Sequence, residues 1–270
     1  TTTVSPADCD LQLYGGFVQD TFGIVPDKLD LIVGTKLEHN RYSGFEIMPN
    51  VRAVWRPDSQ STVWAAVSRA IRMPSRFDTD MLLRLATLPD NSILTIVGNR
   101  DLDSERLLAY EFGYRAQPRK DFSFDIASFY NVYDDLKSFE LIGLQGADPS
   151  ELRFISSNKL YGQTYGAEVN AQWRINDWWT ILPSYTFLQM NLYKRHGSTD
   201  PLSKAAEHQS PMHQFSMRSM MNFRSKWELD IGLRYVDHIT ALVDGTRIPG
   251  YFVADVRLGW RPSAKWEFAV

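Results

Sequence analysis

The sequence predicts an all-β fold, an antiparallel sheet of the kind that crosses a membrane as a barrel, and three observations carry that reading. Runs of about ten to thirteen residues alternate apolar and polar types, the period-2 mark of strands with two unlike faces. The connections between the runs alternate between short and long, which an ordinary sandwich has no reason to do. The polar faces hold more charges than a dry core accepts, whereas a hydrated or plugged lumen takes them readily.

In chain order, Thr1-Thr2-Thr3-Val4-Ser5-Pro6 shows no positive n-region and no apolar stretch behind it, so no signal peptide is visible. A first run descends to a turn at Pro26-Asp27-Lys28 and the next rises to a longer connection at 39–44. A short turn at 56–60 is followed by the long connection 72–104, and Pro118-Arg119-Lys120 by the connection 134–158. Ile175-Asn176-Asp177, the connection 191–210, Ser225-Lys226, the connection 238–250 and Pro262-Ser263-Ala264 complete the series. Lys265 to Val270 reads as a strand just beginning, so the chain is expected to be a fragment.

Three runs show the two faces most clearly. Tyr165, Ala167, Val169, Ala171 and Trp173 alternate with Glu168, Asn170, Gln172 and Arg174. Trp227, Leu229, Ile231, Leu233 and Tyr235 alternate with Glu228, Asp230, Gly232 and Arg234. Phe252, Ala254, Val256, Leu258 and Trp260 alternate with Asp255, Arg257 and Arg261. The apolar faces are expected to meet lipid, with Trp173, Trp179, Trp227, Tyr235, Tyr251 and Trp260 as interfacial girdles.

Composition removes other classes. The chain has 270 residues, 44% of them hydrophobic, so it has material to bury and is no disordered tail. Lys and Arg number 29 against 32 Asp and Glu, which argues against nucleic acid as a partner. No apolar run approaches the length of a membrane helix. Cys9, the one cysteine, reads as small filler and can form neither an internal disulfide nor a multi-cysteine metal site. No nucleophile elbow, phosphate loop or zinc-binding helix is present, so no enzyme is expected. Asp134-Asp135 is the one carboxylate pair to consider, and adjacent strand residues point apart, so it reads as a solvated loop start.

Gly16-Phe17-Val18-Gln19-Asp20, Trp64 to Ser75, Gly98 to Glu105, Tyr110 to Arg115 and Ser128-Phe129-Tyr130-Asn131 occur in order, followed by Ser210 to Gln214 and Ile248-Pro249-Gly250-Tyr251. In that order the chain resembles the TonB-dependent outer-membrane receptors over nearly its whole length. The resemblance implies a barrel of about 22 strands around an N-terminal plug. About twelve segments are present here, which suits the later part of such a barrel, about strands 10 to 21, as one partial barrel domain over residues 1–270 without the plug. It also implies import of a scarce ligand, a ferric siderophore, cobalamin or similar nutrient, with energy from the TonB–ExbB–ExbD complex. The location would be the outer membrane of a Gram-negative bacterium, with lipid as a partner, the intact receptor a monomer, and no cofactor.

Ligand recognition is expected at the long connections. Arg72, Arg76, Arg84 and Arg100 could hold carboxylate or catecholate oxygens and Phe77 could stack, although Asp78, Asp80, Asp90, Asp101 and Asp103 offset the charge. Phe139, Phe154 and Tyr193 add aromatics from the later connections. His39, His196, His208, His213 and His238 all fall in or beside long connections, and His196 and His208 join the ligand candidates. Haem receptors of this family carry a histidine between the boxes matched by Ile71 to Pro74 and Asn99 to Leu102. Residues 75–98 contain none, so haem is not the expected cargo. Three other classes stay open on the residues: a passive porin, a barrel lipase or protease, and a soluble β-sandwich binding module.

Overall fold

The computed structural model describes residues 2–87, 93–143, 151–223, 226–241 and 245–270. The elements in chain order are β1 (Thr2–Val4), β2 (Leu13–Val25), β3 (Leu29–Asn40), β4 (Gly44–Asp58) and β5 (Ser61–Arg72). A one-turn helix α1 (Arg76–Asp80) follows, then β6 (Met81–Thr87), β7 (Ile93–Val97), β8 (Glu105–Arg119), β9 (Phe122–Gly143), β10 (Glu151–Asn176) and β11 (Trp179–Lys194). After a 3-10 turn at Ser203–His208 come β12 (His213–Phe223), β13 (Trp227–Val236), the short pair β14 (Ile239–Thr240) and β15 (Arg247–Ile248), β16 (Tyr251–Ser263) and β17 (Trp266–Ala269).

One sheet holds all of the strands described except β14 and β15. Its main path runs β2-β3-β4-β5-β8-β9-β10-β11-β12-β13-β16-β17, each strand antiparallel to its sequence neighbour on the path. These are the segments counted in the sequence, in meander order, and they form part of a barrel wall that does not close. A sandwich would divide the strands between two sheets, so that reading falls. No helix among the described residues is long and apolar enough to cross a membrane.

The wall is inside out relative to a soluble core. Buried apolar residues are few among the described residues, and several are alanines: Ala66, Met81, Leu102, Ala109, Ala116, Leu160 and Leu192. Val67, Phe112, Val169, Trp173, Trp227 and Trp260 lie exposed. Such a surface is stable only against lipid.

Two aromatic rows bound the apolar band. Near the short turns, Phe122 packs edge-on to Trp173 at 6.5 Å, and Trp227 stacks on Trp260 at 5.5 Å, which stacks on Phe268 at 5.7 Å. Higher up, Tyr110, Tyr130, Tyr165, Phe187 and His213 make a continuous ring-to-ring row across β8 to β12, with spacings from 5.4 to 6.5 Å. Along β10, Tyr165 and Trp173 are separated by about 26 Å of strand at the usual rise, which a barrel tilt reduces to about 20 Å of height. Tyr251 departs from expectation. As the first residue of β16 it pairs with Val236 on the lumen side, and Phe252 takes the outward place beside Tyr235.

Two connections are shorter than the sequence suggested. The 39–44 connection contracts to a tight turn at 41–43, because the Asn40 side chain accepts from the backbone N–H of Tyr42 and Ser43 at 2.9 and 2.8 Å, and Gly44 supplies a left-handed φ of 71°. In the 134–158 connection most residues continue β9 and β10 beyond the apolar band. The loop part at 144–150, the turn residue Ser225 and Asp90 lie outside the described residues.

On the inner face, close approach requires glycine at one position above all. A Cβ on Gly166 would stand 2.1 Å from the Phe187 carbonyl oxygen and 2.7 Å from the Phe129 ring. Backbone cannot swing aside, so Gly166→Val is expected to cost about 1–3 kcal/mol. The fraction of full-length protein recovered as heat-modifiable barrel should fall. Gly232→Ala, where a Cβ meets nothing nearer than 3.7 Å, should leave it unchanged, and equal yields for both would contradict the packing.

Candidate functional site

Above the upper aromatic row the chain builds a head. β11 pairs with β10 only as far as Leu160 opposite Lys194, which leaves the rest of the long β10 with a bare edge. β7 takes that edge in parallel, from Glu151 opposite Ile93 to Ile155 opposite Val97. β6 pairs with β7, and β1 pairs with β6. Backbone groups that would otherwise need solvent are thereby paired. The 72–104 connection, expected as a recognition loop, is thus a folded part of a sheet ordered β9-β10-β7-β6-β1.

Its base is held by an ion network. Arg72 and Glu105 stand five positions from the outward Val67 and Tyr110 respectively, so strand alternation sets both on the lumen face. Arg72 donates twice to the Glu105 carboxylate, each bond 2.7 Å, and its Nη1 lies 3.6 Å from Asp78. Asp78 is 3% exposed. It accepts from the Ser75 backbone N–H at 2.9 Å, the Ser75 hydroxyl at 2.7 Å and Lys137 Nζ at 2.7 Å. Burial alone would push the Asp78 carboxyl up, but Lys137 and Ser75 together outweigh it and hold it at about 2. Ser75 and Asp78 also form the capping box of α1.

Two further carboxylates bind the head together. Glu151 accepts from the Thr95 hydroxyl at 2.7 Å and from Arg153 at 2.5 and 2.8 Å, joining β7 to β10, and these donors lower its pKa. Glu140 accepts from the hydroxyls of Ser138, Ser198 and Thr199 and from the Thr199 N–H at 2.6 to 3.0 Å. Burial would raise the Glu140 pKa, and these four donors bring it below its ordinary value. Asp200, fully buried, accepts from the N–H groups of Phe139, Leu202 and Ser203 at 2.6 to 2.8 Å. The 191–210 connection is pinned to β9 by these bonds.

The sequence candidates divide accordingly. Arg76 donates to the carbonyls of Pro6 and Ala7, and Arg100 to Asp80 at 2.8 Å and to the Ser5 carbonyl at 3.2 Å, so both clasp the N-terminal segment. Arg84 lies 3.8 Å from Glu151. Arg72, Arg76, Phe77, Arg84 and Arg100 therefore share one folded unit, in which Phe77 on α1 is exposed. Phe139 packs beneath Lys137 at 5.4 Å. Tyr193, His196 and His208 belong to the other connection. His196 and His208 are exposed, with His208 Nε2 3.6 Å from Glu207. Tyr193 faces the outer wall, because it pairs with Tyr161 on the side of Tyr165 and Phe187. All five histidines lie toward the end of the sheet that carries the long connections, although His39 itself stands within β3 beside the tight turn at 41–43. No group of three or more His, Cys, Asp or Glu side chains suited to a metal occurs among the described residues.

Asp134 and Asp135 correct the sequence reading. Asp135 has a left-handed φ of 54° in a bulge of β9, where Tyr133 pairs with Gly162 but Leu136 with Leu160. The bulge turns both carboxylates to the same side, where Arg106 and Arg195 each contact both. Asp78, Glu105, Lys137, Glu140 and Asp200 were missed as organising residues. The Ser75-x-x-Asp78 spacing was the available signal for the first of them.

Comparison with known proteins bears on what this architecture serves. A family model described as TonB dependent receptor-like, beta-barrel, matches residues 3–270. An iron-regulated outer membrane virulence protein of Vibrio cholerae is 24% identical over 204 residues, which are 72% of this chain and 30% of that protein. A crystal structure of the siderophore receptor PirA from Acinetobacter baumannii superposes with a TM-score of 0.74 at 14% identity, covering 96% of this chain and 41% of the receptor. A ferric enterobactin receptor mutant of Pseudomonas aeruginosa in complex with enterobactin gives 0.73 at 13% identity, covering 94% of this chain and 38% of that receptor. The chain thus spans less than half the length of each.

Proposed function

This chain belongs to the TonB-dependent receptor β-barrel family, and from that premise we propose that the protein containing it imports a ferric siderophore across the outer membrane of a Gram-negative bacterium. The observation that carries the reading is the family match over residues 3–270, with iron-regulated and siderophore-receptor proteins among the relatives. Receptors and transporters, not enzymes, make up this company. Energy comes from the TonB–ExbB–ExbD complex acting on a plug domain of the longer protein, which works as a monomer in lipid. This chain supplies the lipid-facing wall and the extracellular head.

The head supports that role by being preorganised, since its strands, caps and ion pairs fix its shape before a ligand arrives. In this reading the ligand meets Phe77 and neighbouring exposed groups, while Arg72, Arg76, Arg84 and Arg100 hold the surface in shape. Cobalamin is the other cargo of suitable bulk. The test is uptake of labelled ferric siderophores and labelled cobalamin in a strain deleted for the full gene. Loss of one ferric siderophore, restored by the full gene only when TonB is present, is the expected result. Loss of cobalamin uptake instead would reassign the cargo. A defect in small-solute diffusion without TonB dependence would replace the reading with a passive pore.

A further inference from the structure

The charge of the head narrows the cargo, a step that rests on the siderophore reading and concerns the chemical class of the iron complex. Residues 1–12 and the five long connections hold 15 Asp and Glu against 11 Lys and Arg, so the chain's excess of negative charge lies at this end. An anionic ligand would need cations standing free there. The four arginines of the 72–104 connection and Lys137 are instead committed to Glu105, Asp78, Asp80, Glu151 and backbone carbonyls. Arg41 donates to the Asp10 carbonyl at 3.0 Å and Lys194 to the Asp200 carbonyl. Among the described residues of these connections, Arg247 alone of the basic side chains shows no bond to a carboxylate or carbonyl.

The charges left open are carboxylates. Asp8, Asp10, Asp101 and Asp103 are exposed, and none of them meets a cation among the described residues. Two of them flank α1. Asp8 follows the Ala7 carbonyl that Arg76 holds, and Asp101 follows Arg100, which holds Asp80 at the other end of the helix. Between them α1 carries the exposed ring of Phe77. The face on which the ligand is read to land is therefore an aromatic ring bordered by unpaired negative charge.

Siderophores divide by the charge of their iron complexes. Three catecholates bring six phenolate charges to Fe(III) and leave a trianion, whereas three hydroxamates bring three and leave the iron centre neutral. A trianion at this face would be repelled by the open carboxylates, or would draw an arginine from its partner and leave Glu105 or Asp80 uncompensated. A neutral centre asks for neither. The methylene arms of a hydroxamate chelator pack against a ring such as Phe77, and an ammonium group on an arm meets Asp8 or Asp101. We infer that the cargo is a ferric tris-hydroxamate, neutral or cationic, and that the internally paired head discriminates against ferric tris-catecholates.

The experiment uses the full-length receptor in detergent. The probes are ferric desferrioxamine B, a tris-hydroxamate with one ammonium group, and ferric enterobactin, a tris-catecholate, titrated calorimetrically at low and at physiological ionic strength. The hydroxamate should bind more tightly by about tenfold or more at low ionic strength, and the gap should narrow as salt screens the repulsion. Asp8→Asn with Asp101→Asn, both at exposed sites, should narrow the low-salt gap by about tenfold, since it relieves the trianion and deprives the ammonium. Heat-modifiable gel mobility verifies that the variant is folded. Tighter binding of the enterobactin complex, or a gap that neither salt nor the folded variant moves, would overturn the inference and leave siderophore import standing. Binding of cyanocobalamin with neither iron complex bound would remove both the inference and the reading beneath it.

Discussion

Val169→Arg is expected to destabilise the full-length barrel by about 2–4 kcal/mol, the cost of an arginine on the lipid face at the bilayer midplane. Val169 stands on β10 midway between Tyr165 of the upper aromatic row and Trp173 of the lower one, exposed on the outward face. A guanidinium there cannot reach either interface without bending the strand or thinning the bilayer. Asn170→Arg, one residue on, places the same group on the lumen face, near the inward arginines Arg218 and Arg257 and the carboxylates Asp230 and Asp255, and should change stability little. The pair separates a barrel from any arrangement in which both faces meet water. Urea titration of the receptor refolded into lipid vesicles measures both variants. Equal stabilities for the two would refute the assignment of faces.

That same strand shows what could be read from the sequence and what could not. The alternation from Tyr165 to Trp173 fixes which face meets lipid, because a side-chain period of 2 follows from strand geometry alone. The meander order follows as well, since each short turn forces the next strand back beside the last. At the upper end of β10 the pattern loses its power. From Glu151 to Leu160 the strand leaves the bilayer, no longer has one face in lipid, and takes β7 as a parallel partner from a connection that precedes it by more than fifty residues. No local pattern encodes such a pairing. The bulge at Asp135 is similarly invisible, because it depends on Arg106 and Arg195 arriving from β8 and from the connection after β11. The candidate arginines were found by type and location, but their partners, Glu105, Asp80, Glu151 and the carbonyls of Ser5, Pro6 and Ala7, are set by tertiary structure.

Asp78→Ala is expected to release the head. The substitution removes the acceptor for Lys137 Nζ and for both Ser75 donors at a site 3% exposed. Breaking a buried pair by deleting one partner costs about 3–5 kcal/mol, because the remaining charge is left uncompensated. That cost falls on the local opening of the 73–104 segment rather than on the barrel, whose strands do not depend on α1. Amide exchange in β6 and β7 of the full-length receptor should therefore accelerate about a hundredfold or more, with the apolar band unchanged. Asp101→Ala, at an exposed site, should leave both unaffected. The pH dependence has a definite sign. The Asp78 pKa is lowered to about 2 from an ordinary 3.8, so its ionisation stabilises the closed head fully above the ordinary value, and the contribution is lost as pH falls through about 2. The difference amounts to about 2 kcal/mol. Wild type and Asp78→Asn should thus differ near neutral pH and converge toward pH 2, with the divergence set between about 2 and 4. A head that opens equally in both proteins at neutral pH would show that Asp78 does not hold it.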